Sequence, residues 1–155
     1  KVFTNGFAVC KFTNFKTDGS AGHNSSFPDT DFFLMRAAEA YLIYAEADAR
    51  MNGGTTTTDG TQYINAIRSR AHATTHTAYS LRQICDEWSR EFYFEGLRRT
   101  TLIRFGYFGG NVNYNWSWKG GVKNGRNFDA HFNLFPIPSS DLTANENLVQ
   151  NQGYN

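Results

Sequence analysis

Tyr114, Trp116 and Trp118 alternate with Asn115 and Ser117. Successive side chains of an extended strand point to opposite faces, so this spacing predicts three rings on one face. Asn111, Asn113, Lys119 and Asn124 flank them with amides and a charge. Rings beside fixed polar donors suit a ligand with apolar faces and polar edges, and sugars are such ligands. The same rings would serve equally as a lid packed over helices, and the residues alone leave both readings open.

Glu87, Glu91 and Glu95 recur every four residues and so share one helical face. Neighbours in such a row reach the carboxylate separation, about 5–9 Å, that glycoside hydrolysis needs. Arg68, Arg70, Arg90, Arg98 and Arg99 lie near enough to pair with these acids, and a structural ion-pair network is the stronger expectation. His72 and His76 also have the spacing of a helical zinc chelate, but Thr74-Thr75 follow the expected helix end and no third ligand is close. A solvated helix terminus accounts for them better. Asp29 and Asp31 flank the expected start of a helix, where carboxylates cap the end and favour its dipole. Two carboxylates on a turn also offer hard oxygen ligands to calcium, with backbone carbonyls completing the shell.

The chain carries no Gly-rich phosphate loop, nucleophile elbow or CxxC pair. With 15 Lys and Arg against 14 Asp and Glu, the net charge of +1 gives no basic stripe, which argues against nucleic acid as a partner. Two cysteines, Cys10 and Cys85, are too few for a zinc ribbon or a disulfide scaffold and are expected to be ordinary thiols. No apolar run of about 18 residues is present to span a bilayer. The first residue is Lys1 and no signal peptide is visible, so the chain is expected to be a processed or excised piece. Aromatic residues make up 16% of 155 residues, and a single domain whose core leans on rings is expected.

Three zones position the candidate residues. Residues 1–30 read as strand and loop, with one strand over Gly6–Phe12. Residues 31–106 read as helical. Leu34, Ala37, Ala38, Tyr41, Leu42, Ala45 and Ala49 form one helical stripe, capped by Thr30 or Asp31 and stopped by Gly53-Gly54. A second helix carries Tyr63, Ile64, Ile67 and Ala71. A third opens on Ser80-Leu81-Arg82-Gln83, a capping box, and runs through Ile84, Trp88 and Phe92 towards Phe105, with a break or kink at Gly96. Residues 107–155 read as an aromatic loop region and a polar tail. The fold class is mainly α: a tetratricopeptide-like helical hairpin, a third long helix, and irregular or short-stranded segments at both ends. One hairpin cannot cover both of its faces, which predicts packing against something larger.

Several stretches, in order and spacing, resemble the C-terminal part of the SusD/RagB family. They are Asp31 to Ala47, Ile64 to Ala71, the run Arg90-Glu91 with Glu95-Gly96 and Arg98-Arg99 leading to Leu102-Ile103-Arg104-Phe105-Gly106, then Leu134 to Pro138, and Asn151-Gln152-Gly153-Tyr154. Trp116 to Gly121 further resembles the starch-binding branch. The resemblance implies a mostly helical lipoprotein, anchored through an N-terminus absent from this chain at the outer face of the outer membrane. Such proteins bind glycans without cleaving them and cover a SusC-like TonB-dependent transporter. It also implies an N-terminal portion of the same protein as packing partner, and adds weight to calcium at Asp29 and Asp31.

The leading expectation is therefore a cell-surface glycan receptor, with Tyr114, Trp116 and Trp118 as sugar-contacting candidates, starch or malto-oligosaccharides as ligand class, and no catalytic residue. The alternative is a helical-repeat protein-interaction module that binds no sugar. A glycosidase using two of Glu87, Glu91 and Glu95 is the third.

Overall fold

The computed structural model describes Val9, residues 11–110 and residues 114–154. Most of the expected strand at 6–12, and Cys10 with any pairing it makes, lie outside the described residues. Cys85 is a free, buried thiol.

Among the described residues five α-helices follow in order: α1 Ala37–Met51, α2 Thr58–Arg70, α3 Leu81–Glu91, α4 Arg98–Arg104 and α5 Ser139–Ala144. Short 3-10 turns cover Lys119–Gly121 and Ala130–Asn133. Among the described residues extended pairing is limited to the isolated bridges Phe15 with Ala21, Thr55 with Ser80 and Gly109 with Phe128. The mainly α expectation holds. No helix among these residues is long and apolar enough to cross a membrane.

The chain divides into two compact units, residues 1–40 and 41–155. In the first, Lys16 and Ser20 close a tight turn (Lys16 N donates to Ser20 O at 2.9 Å), and Asp18 accepts from the Ser20 amide and hydroxyl. Thr30 Oγ1 ties the far end back by donating to Thr13 O at 2.9 Å. Asp29 and Asp31 do not cap α1. The helix starts six residues beyond Asp31, and Leu34, read as the start of its apolar stripe, lies outside it and is exposed.

In the second unit the stripe behaves as its period requires. Leu42, Ala45 and Ala49 of α1 and Ile64 and Ile67 of α2 are buried. Tyr63 of α2 sits between Tyr41 and Tyr44 of α1, at 5.0 and 4.8 Å between centroids. Asp48 crosses from α1 to the start of α2 and accepts from the Thr57 amide at 2.6 Å and hydroxyl at 2.8 Å. The hairpin then leads into α3 through Thr56, whose hydroxyl accepts from the Tyr79 amide at 2.9 Å.

The capping box opens α3 as expected: Ser80 Oγ accepts from Gln83 N, and Gln83 Oε1 accepts from Ser80 N at 2.8 Å. Ser80→Ala leaves the first-turn Gln83 amide without its side-chain acceptor and should cost about 1 kcal/mol, read as a lower denaturation midpoint with an unchanged slope. The long third helix is two helices. It ends after Glu91, where Phe94 (φ 63°) and Gly96 (φ 80°) enter the left-handed region, and α4 begins at Arg98. Gly96 takes that conformation without a Cβ clash, whereas Phe94 takes it at a cost. The elbow returns α4 against α3, with Arg98 Nη1 donating to Cys85 O at 2.9 Å.

Candidate ligand groove beside the aromatic loop

Tyr114, Trp116 and Trp118 do not form one face of a strand. Tyr114 is buried, its ring parallel to Tyr107 (7° between planes, centroids 4.7 Å apart). Its hydroxyl donates to Asp86 Oδ1 at 2.6 Å and accepts from Arg98 Nη2 at 2.6 Å. Burial first, then the Asp86 carboxylate, push its pKa up to about 12. Tyr114 is thus a locked phenol that fixes the start of the loop. Trp118 stands at φ 70°, left-handed rather than extended, so the chain reverses there and the alternation is lost. Trp116 and Trp118 remain 39% and 49% exposed.

The loop folds around Lys119, a residue the sequence presents as a surface donor. It is 1% exposed. Its Nζ donates to Tyr114 O at 3.1 Å and lies 4.9 Å from the Trp116 ring centroid and 5.1 Å from that of Phe128. Desolvation pulls its pKa below the usual lysine value, and the two ring faces offset part of that cost. Lys119 N also donates to Trp116 O at 3.1 Å, and Arg126 N to Lys119 O at 3.2 Å. The inner side of Trp116 is therefore held by a buried cation.

The outer side borders a groove of about 640 Å³, within the range of small-molecule sites. The end of α3, the elbow, the start of α4 and the loop line it. Trp116, Tyr93 and Phe94 supply exposed rings, Asn115 an amide, and Arg82, Arg98 and Arg99 guanidinium groups. Trp88, also in the lining, has a buried indole N–H with no hydrogen-bond partner. Among the described residues no carboxylate lines the groove. Its chemistry is ring faces with nitrogen donors, which fits a neutral or anionic oxygen-rich ligand.

The glutamate row is held by arginines. Glu87 Oε2 accepts from Arg68 Nη1 and Arg90 Nη2, each at 2.7 Å, and Glu91 from Arg70. Glu95 lies beyond the end of α3, so the four-residue spacing does not carry it onto the same helical face. Arg98 and Arg99 take other partners, Tyr114 and the Phe132 carbonyl. A second cluster went unforeseen: Glu46 of α1 accepts from Arg50 and from Arg104 of α4, 58 residues away. The histidine pair also separates, because α2 ends at Arg70, His72 is left-handed (φ 53°) and the His76 amide donates to Asn65 Oδ1.

Asp29 Oδ2 accepts from the His23 amide at 2.7 Å and contacts its ring Nδ1 at 3.0 Å, and the amide bond leads in holding the carboxyl below its usual pKa. Two carboxylates fall short of the roughly six to eight oxygens calcium takes. Among the described residues no three His, Cys, Asp or Glu side chains gather as a metal site.

The model of the SusD family matches residues 1–154. The starch-binding protein SusD of Bacteroides thetaiotaomicron is 44% identical over 153 residues, 98% of this chain and 27% of that protein. A solved SusD superfamily protein from Parabacteroides distasonis superposes with a TM-score of 0.67 at 25% identity, covering 84% of this chain and 29% of the other. A laminarin-binding SusD-like protein superposes with a TM-score of 0.55 at 27% identity, over 79% and 23%. The chain thus spans between about a fifth and a third of the length of these relatives.

Proposed function

The chain belongs to the SusD family, and from that membership we propose that it acts in binding glycans, as the C-terminal portion (residues 1–155) of a longer cell-surface receptor. In this reading the receptor is lipid-anchored at the outer face of the outer membrane. It captures oligosaccharides of the starch type and passes them to a SusC-like TonB-dependent transporter. The observation that carries the reading is the 44% identity, over 98% of this chain, to a protein that binds starch. Holding a sugar needs ring faces for its C–H surface and donors for its hydroxyls, and no general acid or base.

Of the three candidate rings, Trp116 fits the role best, since it combines an exposed face with a groove wall. Tyr114 supports it from inside, and Trp118 adds exposed aromatic area outside the groove lining. Calcium at Asp29 and Asp31 belongs to the same proposal and would need further oxygen donors. The alternative, a protein-interaction module without sugar binding, draws on the exposed Ile43, Tyr44 and Met51 of α1.

Affinity electrophoresis and calorimetry of the full-length protein against starch, laminarin and an unrelated glycan separate the two. Binding to starch fragments is expected, with no accumulation of reducing ends. Trp116→Ala should weaken it by about tenfold, the scale of one aromatic contact. A full-length protein that retains no polysaccharide would leave the interaction-module reading standing.

A further inference from the structure

Arg82 is the groove cation whose donors are unspent. Arg98 is committed to Cys85 O and the Tyr114 hydroxyl, and Arg99 to the Phe132 carbonyl, each by hydrogen bonds below 3 Å. The Arg82 guanidinium instead lies 3.9 Å from the Tyr114 ring centroid and 5.5 Å from that of Tyr107, and among the described residues it has no hydrogen bond or ion pair. The ring beneath it cannot yield, since its hydroxyl is clamped between Asp86 and Arg98. A planar fork of N–H donors is thereby pre-organised at the groove wall, on the first turn of α3, without an acceptor among the described residues.

We propose that Arg82 and Trp116 form one sugar subsite of this groove, in which the Arg82 fork donates to two adjacent hydroxyls of a neutral hexose while Trp116 stacks on its face. This rests on the glycan-binding reading and adds to it a residue, a location and a mode of recognition. Adjacent ring hydroxyls offer paired oxygens that a planar guanidinium can meet with two parallel N–H bonds, as it meets a carboxylate, whereas an ammonium offers its donors from a single nitrogen without that fork. The absence of a carboxylate among the described lining residues leaves the fork to the ligand.

The test uses the full-length protein with maltoheptaose and laminarin oligosaccharides as probes, and calorimetric affinities of Arg82→Met and Arg82→Lys against wild type. Arg82 is exposed, so both variants should fold. Both should bind about tenfold more weakly, the loss of one or two hydrogen bonds, and the lysine should not rescue. Wild-type affinity in Arg82→Met overturns the subsite, and so does full rescue by lysine, which would reduce Arg82 to a point charge. Arg82 should also react with phenylglyoxal in the free protein and be shielded by maltoheptaose. No reaction without ligand would mean that another segment of the polypeptide fills the groove, which also overturns the subsite. A wild-type protein that binds no glucan at all sinks the parent reading, an outcome the Arg82 variants cannot mimic.

Discussion

Glu87→Gln is expected to lower stability by about 3–5 kcal/mol, the range found when one partner of a buried ion pair is removed. The Glu87 side chain is 5% exposed and that of Arg68 13%, so both charges have left water. Arg68 Nη1 meets the carboxylate at 2.7 Å, while its Nε donates to the Thr74 carbonyl. A neutral amide leaves that guanidinium buried with no counter-charge. The second partner, Arg90, is 56% exposed and should matter little, with Arg90→Gln within about 1 kcal/mol. The double change Arg68→Met with Glu87→Leu should recover most of the loss, because replacing both ions by apolar groups removes the orphaned charge. Denaturation midpoints of these three variants and the wild type check the claim. A Glu87→Gln midpoint equal to that of Arg90→Gln would show that the pair is solvated in practice. The same variant also addresses the glycosidase reading, since loss of fold stability without any change in glycan turnover places Glu87 in the scaffold.

What the sequence disclosed follows from the range of the interaction concerned. The Ser80–Gln83 box is local, and its three-residue spacing was sufficient. The helical stripe of Leu42, Ala45 and Ala49 was legible because burial imposes the 3.6-residue period. Leu34 extended that stripe in sequence but is exposed in the fold, so periodicity alone set the helix start too early. The row of glutamates announced an ion network without naming its pairs: Arg68 reaches Glu87 across 19 residues, and only the packing of α2 on α3 selects it over Arg98 or Arg99.

The aromatic loop shows the opposite limit. Alternation of rings and polar residues is a strand signal only if every residue is extended, and Trp118 is not. What turns the chain there is tertiary: a lysine withdrawn from water between Trp116 and Phe128, and Gly125, whose lack of a Cβ lets the Trp116 carbonyl approach. A lysine before Gly-Gly reads as surface, and nothing within a short window signals otherwise. Arg82 was likewise invisible as a binding residue, since it sat inside a capping box and its stacking partner lies 32 positions on.

Gly125→Ala should therefore disturb the groove more than its distance in sequence suggests. Gly125 stands at φ +74°, where any side chain costs about 1–2 kcal/mol. A Cβ there would also lie 2.5 Å from the Trp116 carbonyl oxygen and 3.3 Å from Asn115 Cβ. The first neighbour is backbone, so relief requires the Trp116 peptide to move. That carbonyl accepts the Lys119 amide, and moving it loosens the turn that places the indole between the buried ammonium and the groove. The combined loss is expected to reach about 2–3 kcal/mol. Gly121 provides the control. Its φ of +78° carries the same backbone penalty, but a Cβ there meets nothing within 4 Å. Gly121→Ala should cost only the conformational part, about 1–2 kcal/mol, and leave Trp116 in place. The difference between the two thermal midpoints isolates the collision with the Trp116 carbonyl, and tryptophan emission reports whether the indole has moved. Equal midpoints and equal emission in the two variants would mean that the loop accommodates the methyl group elsewhere. A shift in emission for Gly125→Ala alone, accompanied by weaker starch binding, would tie the position of this one carbonyl to the function proposed for the ring attached to it.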